Sequence, residues 1–497
     1  MPRRAPRRSV LWLLLCAAAS AWALEVPLKY VRHSDEEGPR QGGGFQELVL
    51  TTSPPGSDYK LPAVSGPRYF ALASLGGEKR CFLFTAKKAG AAPYSRIFFD
   101  ADGNHDFTDN PPIDESPPPE EFAPGGFAPI DITVGAGGAA VPYSFVVHAF
   151  KFERDPDEPA KKDAPPFEAF LVPNCSYTGT LKLGGKEYAL TLSDGNANGL
   201  FGDKIGPAPA AGAGGNVAPP DFLHLDDGTE NTFWDDPFLC DLLLLGDKLF
   251  RVTPDVAAGK LTLDPVTAGL AGVALPAGLE RLTLRPAAEG VSVSMLAPAA
   301  AVKLPPGTYR FMQYDLTRKD AEGDTWQLHA VATPDSPPIV VGSQGPAAVS
   351  FGEPFTAGVV VETVKVRPRR FFGLLAGAER NIVRVNLNLQ GAAKEQVVVI
   401  AHTAGQSTKF ALDRSGFRPK EPGYRIASAA DETLATGMLS YERSDARGFI
   451  WSASWDGAKD GATYKISCTY DMGPFKCQGS TIETTPFPAQ KDAKQAR

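Results

Sequence analysis

The chain has 497 residues, a formal net charge of −7, 45 prolines, 50 glycines and six cysteines. That length predicts several domains rather than one, and the acidic balance, with no basic face of matching size, argues against nucleic acid as a partner. Proline and glycine exceed ordinary usage but are spread along the chain, which fits an all-β protein of many short strands joined by turns.

Residues 1–23 read as a signal peptide. Arg3, Arg4, Arg7 and Arg8 form the positive n-region, Val10–Leu15 open the apolar stretch, and Ala21-Trp22-Ala23 supplies a small-residue cleavage site after Ala23. The mature chain is expected to be exported: secreted, periplasmic or held at the cell surface. No later stretch is long and apolar enough for a membrane span. Cys16 leaves with the signal, so five cysteines remain, an odd number that permits disulfides without describing a disulfide scaffold.

Residues 24–152 read as a first β unit, with Phe45–Thr51, Tyr69–Ala73, Cys81–Phe84 and Arg96–Asp100 as strands between Pro/Gly punctuation. An acidic loop follows the last of these directly: Asp100-Ala-Asp102-Gly-Asn104-His-Asp106-Phe107-Thr-Asp109. A charged linker occupies 153–166, and 167–265 read as a second, related unit. Its loop is Asp194-Gly-Asn196-Ala-Asn198-Gly-Leu200-Phe201-Gly-Asp203. Laid over each other without gaps, the loops share Asp at position one, Asn at five, Phe at eight and Asp at ten. The repetition extends upstream, where Leu75-Gly-Gly-Glu-Lys79 and Leu183-Gly-Gly-Lys-Glu187 each read as a tight hairpin, with Leu245-Gly-Asp-Lys248 as a third. Between the second loop and the third hairpin, 207–220 is a low-complexity Ala/Gly/Pro excursion.

Asp or Asn at every second position of a turned loop points successive oxygens inward, the arrangement a hard cation with six to eight oxygen ligands requires. The expected ligands are Asp100, Asp102, Asn104, Asp106 and Asp109 in the first loop, and Asp194, Asn196, Asn198 and Asp203 in the second. This pattern resembles the first half of EF-hand and dockerin calcium loops, and the resemblance implies Ca2+ as the cofactor. Two departures stand out: His105 occupies the sixth position where the family has Gly, and Pro111 and Ile205 stand where a bidentate Glu is expected. They imply weak affinity, tighter in the first loop, which carries more carboxylates. The same residues also suit two Asx-rich turns held by local hydrogen bonds alone.

Residues 266–348 read as an Ig-like β module. The run Lys303-Leu-Pro-Pro-Gly-Thr-Tyr-Arg310 resembles the strand-turn-strand that closes carboxypeptidase-regulatory-like and other Ig-like extracellular modules. Residues 349–485 read as a C-terminal β-sandwich and 486–497 as a disordered tail. Val383, Val385, Leu387 and Leu389 alternate with Arg384, Asn386 and Asn388, and Val397–Ile400 reads as a strand buried on both faces. Phe449, Trp451 and Trp455 share a strand face, which reads as core packing rather than a sugar platform. The basic run Lys365–Arg370 reads as a solvated strand end. A two-residue turn at Met472-Gly473 would set Cys468 opposite Cys477 at disulfide range.

The six histidines show no zinc spacing, and no nucleophile or phosphate-loop motif is present. The carboxylate pairs Asp226-Asp227 and Asp235-Asp236 read as surface turns. As a whole the chain resembles bacterial secreted multi-β-domain proteins with Asp/Asn-Gly loops and Ig-like tails. The expected architecture is several β-sandwich-like domains in tandem behind two loop-bearing units. The expected role is a non-enzymatic, calcium-stabilised structural or adhesive protein of the cell surface or matrix, meeting surface proteins or glycans. The alternative is an extracellular carbohydrate-binding or hydrolytic protein.

Overall fold

The computed structural model describes residues 23–484 apart from 34–43, 65, 117–124, 137–138, 152–164, 208–218, 229–236, 343–344, 367–368, 371–374, 377–379, 403–418 and 445–447. The signal segment 1–22, most of the expected linker 153–166, most of the low-complexity run, Asp235-Asp236 and the tail 486–497 lie outside the described residues. Among those described there is no α-helix, and regular structure is β-strand. It is an all-β fold of several sheets.

All three expected hairpins form with two-residue turns, pairing Leu75 with Glu78, Leu183 with Lys186 and Leu245 with Lys248. Gly76-Gly77 and Gly184-Gly185 have positive φ at both central positions, the condition for a type I′ turn. In the first unit the hairpin of Arg68–Leu75 and Glu78–Thr85 is extended by Arg96–Phe99, Ile113–Ser116, Gly125–Phe127, Ala139–Phe150 and Glu168–Pro173. The segment from Gln46 pairs with Leu171 at one edge of this sheet, while Thr51 bridges Phe70 at the other. That short segment therefore brings the two edges together. In the second unit, Lys29–Arg32, Cys175–Leu183, Lys186–Ser193 and Phe222–Asp226 form one sheet. Leu24–Pro27 pairs with Lys260–Pro265 in another.

One hydrophobic core runs through both units, from Phe82, Phe84, Phe99 and Phe145 to Leu190, Leu192, Phe250 and Leu263. Burying each such Phe or Leu stabilises the fold by about 1.5–3 kcal/mol, so the two units are energetically joined. A second core collects Leu282, Tyr314, Trp326, Phe355, Ile400 and Phe475, spanning the position where the sequence suggested a boundary near 349. Thr325–Val331 pairs directly with Gln396–His402, and the Tyr314 hydroxyl donates to Glu395 Oε1 at 2.7 Å. A third core holds Val383, Val385, Ile426 and Ile466, with Trp451 and Trp455 packed at its margin.

Two local expectations are corrected. Cys468 lies opposite Ser480, and Cys477 pairs instead with Phe355 of the neighbouring strand Phe355–Val366; both thiols are free. The connection is not a two-residue turn, because Met472 and Phe475 are both drawn into the second core. All five described cysteines are free, four of them buried. Val397–Ile400 is not buried on both faces: Val398 is 46% exposed, since this strand covers the core with one side only.

Candidate functional site

Each acidic loop begins where a strand of the β units ends: Asp100 follows Arg96–Phe99 and Asp194 follows Lys186–Ser193. The two loops share one backbone path. Positions four and six have positive φ in both, at Gly103 (71°) and His105 (64°) in the first and at Ala197 (55°) and Gly199 (78°) in the second. The glycine has changed places between the copies, and the left-handed turn has not. His105 holds that strained conformation by stacking on Tyr59 with ring centroids 4.4 Å apart and by pairing with Asp58.

The hydrogen bonds repeat as well. Asp100 Oδ1 accepts from the Asn104 N–H at 3.1 Å and Asp194 Oδ1 from the Asn198 N–H at 3.3 Å. Asp100 Oδ2 accepts from His105 N–H, and Asp194 Oδ2 from Gly199 N–H. At position five the side-chain oxygens of Asn104 and Asn198 each accept a backbone N–H two residues on, at 2.7 Å. Their amide nitrogens donate to the position-ten carboxylates, Asn104 to Asp109 at 2.8 Å and Asn198 to Asp203 at 2.6 Å.

Around this shared frame the surroundings differ. In the first loop Asp100 is buried while Asp102, Asn104 and Asp109 are exposed. The Asn104 amide nitrogen lies between Asp102 Oδ2, at 2.9 Å, and Asp109 Oδ2. Asp106 stands apart from this convergence. Its carboxylate takes the Lys60 ammonium at 2.7 Å and Thr108, and Lys60 above all holds it down to about 2. Phe107 anchors the loop in a small cluster with Phe70, Leu83 and Phe98, separate from the main core.

The second loop is sunk into the main core, where Phe201 meets Tyr177 at 4.9 Å. Asp194 is fully buried, and besides Asn198 and Gly199 it accepts from the Asn196 N–H and from the Tyr143 hydroxyl at 2.8 Å. A carboxylate offers about four lone-pair directions, and these four donors fill them. Asn196 Nδ2 joins Asn198 on Asp203 Oδ2. A further residue, with no spacing signal in the sequence, completes the network: buried Asp221 accepts from the N–H groups of Gly195, Gly202 and Asp203 at 2.6–3.0 Å. Close backbone approach fixes glycine here, because a Cβ at Gly195 would strike the Pro220 carbonyl and one at Gly44 would strike the Gly195 carbonyl. Burial pushes the Asp221 carboxyl up to about 8, with the Asp194 charge adding to it against the N–H donors. Burial likewise raises Asp194 to about 6. The nearby lysines Lys186 and Lys204 pair with Asp227 and Asp241 instead.

No family model, no curated protein and no solved structure matches this chain. The functional reading therefore rests on geometry alone. In both loops the expected ligands that converge do so around amide N–H groups, the partial positive charges that satisfy carboxylates when no cation does. Asp100, Asp102 and Asp109 keep lone pairs beyond the bonds described, which fits an oxygen-rich cation site. In the second loop Asp194 has none to spare, and Asp203 is the carboxylate of the expected set with an oxygen left over.

Elsewhere, a cleft of about 540 Å³ is lined by Asp227, Glu280, Arg281 and Asp315, among others. Burial and the nearby Asp227 charge raise the Glu280 carboxyl. Asp226, at the end of Phe222–Asp226, lines the same cleft.

Proposed function

We propose that the protein is an exported, non-enzymatic, calcium-stabilised β scaffold of the cell surface or matrix, presenting its sheet faces to surface proteins or glycans. The observation that carries the calcium reading is the convergence of Asp100, Asp102 and Asp109 in one exposed loop with their lone pairs incompletely used. Calcium takes such carboxylates together with amide and main-chain oxygens and water. To ligate, the Asn104 amide must turn its oxygen inward and give up the bond from Asp106 N–H. That exchange weakens binding, as does the missing Glu at position twelve, so the expected dissociation constant is about 10⁻⁴–10⁻³ M. The second loop shares the fold of the first and acts in this reading as a hydrogen-bonded node, with Asp203 as its remaining ligand.

The test is calorimetric titration of the purified mature protein with calcium, paired with melting in calcium and in chelator. One binding event is expected, abolished by Asp100→Asn with Asp102→Asn. At ten times the dissociation constant calcium should add about 1.4 kcal/mol, by RT ln(1 + 10). A wild-type protein that takes up no calcium at millimolar concentration overturns the calcium reading.

A second reading, an extracellular carbohydrate-binding or hydrolytic protein, has one observation in its favour: the carboxylate-lined cleft, in which burial and Asp227 raise the Glu280 pKa, as suits a proton donor. A glycan array and a glycosidase panel, each repeated with Glu280→Gln, separate it from the scaffold reading.

A further inference from the structure

The geometry points to a binding site for a zinc-type divalent transition ion at Asp320, Asp324 and His402, separate from both acidic loops. Thr325–Val331 continues the hairpin begun by Gly307–Lys319, and the turn between these strands is Asp320-Ala-Glu-Gly-Asp324. On the other side, Thr325–Val331 pairs with Gln396–His402 so that Trp326 stands opposite His402. This register brings a histidine from a distant part of the sequence to the acidic turn.

One ligand atom from each of the three residues can be chosen so that all lie within 4.8 Å of one another. His402 Nε2 is 3.3 Å from Asp324 Oδ2. Two ligands at about 2.1 Å on a tetrahedral ion stand about 3.4 Å apart, so this pair already has the required separation.

The site is more than an acidic turn. The His402 side chain is 3% exposed, and its Nε2 makes no hydrogen bond although it lies close to Asp324. A buried ring nitrogen without a hydrogen bond is unfavourable, and a metal ion is one partner that satisfies it. Neighbours hold the ligands in place. The Trp326 indole N–H donates to Asp320 Oδ2 at 2.9 Å, and the N–H groups of Glu322 and Asp324 donate to Asp320 Oδ1. The His402 ring packs on Trp326 with centroids 4.8 Å apart. The Asp324 carboxylate faces His402 Nε2 at 3.3 Å, the two groups that would share the ion. Imidazole nitrogen with two carboxylates suits zinc, nickel or cobalt better than calcium, whose ligands are oxygens. Three protein ligands leave a fourth position for water or for a group from another molecule. An ion here would tie the turn to the end of Gln396–His402.

The test uses the mature protein stripped with chelator, titrated with Zn2+ by calorimetry and with Co2+ by visible absorption and tryptophan quenching. One equivalent of each ion should bind, with quenching from Trp326. His402→Phe keeps the packing on Trp326 and removes the nitrogen. It and Asp324→Asn should each weaken Zn2+ by more than about a hundredfold, since even outer partners of a ligand are worth about ten- to a hundredfold. Asp100→Asn with Asp102→Asn should leave zinc binding unchanged, which separates this site from the calcium reading. If His402→Phe fails to fold, Asp324→Asn decides. No zinc binding by wild type, or binding unchanged in the folded variants, overturns the proposal.

Discussion

The two acidic loops share a backbone path and a hydrogen-bond frame, and each follows directly on a strand, yet their carboxylates are in different situations. In the first, Asp102 and Asp109 are exposed and Asp100, though buried, accepts from the Asn104 and His105 N–H groups with lone pairs left over, while the attached Phe107 is held in a small cluster of its own. In the second, Asp194 and Asp221 are enclosed and answered by seven donors, four on Asp194 and three on Asp221. The same turn can thus serve as an open cradle of negative charge or as a buried fastening. Depth in the core separates the two roles, because burial makes each unmade hydrogen bond expensive.

The sharpest way to break this comparison is to remove the first Asp of each loop. Asp194→Ala strands four buried donors and should cost on the order of 4 kcal/mol or more in denaturant unfolding. Asp100→Ala leaves two or three donors nearer to solvent and should cost about 1–2 kcal/mol. Equal losses would mean that the second loop is no more a structural node than the first.

A somewhat smaller effect separates the loops by pH. Asp221 and Asp194 have folded-state values raised, to about 8 and about 6, above their ordinary value of 3.8. The folded state therefore binds protons more readily than the unfolded chain. The stability these two groups contribute is full below about pH 4 and is lost as pH rises through 6 and 8. In calcium-free buffer the N-terminal half should lose on the order of a few kcal/mol between pH 5 and pH 8. Asp221→Asn should flatten the upper part of that profile. A wild-type profile that is flat or rises over this range would show that the N–H donors keep both buried carboxylates ionised and would overturn the pH argument.

Much of the first loop and of the three hairpins was legible in sequence, because turn chemistry is local: Gly-Gly with positive φ, and Asx residues capping the N–H groups two residues on. His105 was the misleading letter. It stands where the calcium-loop family has glycine, but the turn survives, because Tyr59 and Asp58 compensate from a segment more than forty residues earlier. Asp221 was invisible for the converse reason. Its role depends on a return of the chain after the low-complexity run, and no spacing marks that. His402 and the acidic turn at Asp320 meet only through strand register. The sequence boundary near 349 likewise ignored a ladder, since Thr325–Val331 pairs across it.

The smallest expected effect concerns that histidine. His105→Gly relieves the left-handed strain but gives up the Tyr59 stack and the Asp58 pair, so stability should change by less than about 1 kcal/mol. A loss well beyond that would show that Tyr59 and Asp58 anchor the loop rather than merely tolerate its geometry.

The free cysteines have a consequence for chemical ageing. Disulfide exchange requires a thiolate, and burial pushes the Cys81 and Cys175 thiols up to about 12, Cys468 and Cys477 up to about 11, and Cys240 further still. At pH 7 a thiol with a value of 12 is ionised in about one molecule in 10⁵, against a few per cent for an ordinary cysteine. Free thiols in an oxidising medium would ordinarily risk scrambling or covalent dimers. Here the native packing is itself the protection, and oxidant sensitivity becomes a measure of unfolding: thiol labelling should stay slow until the sheets open.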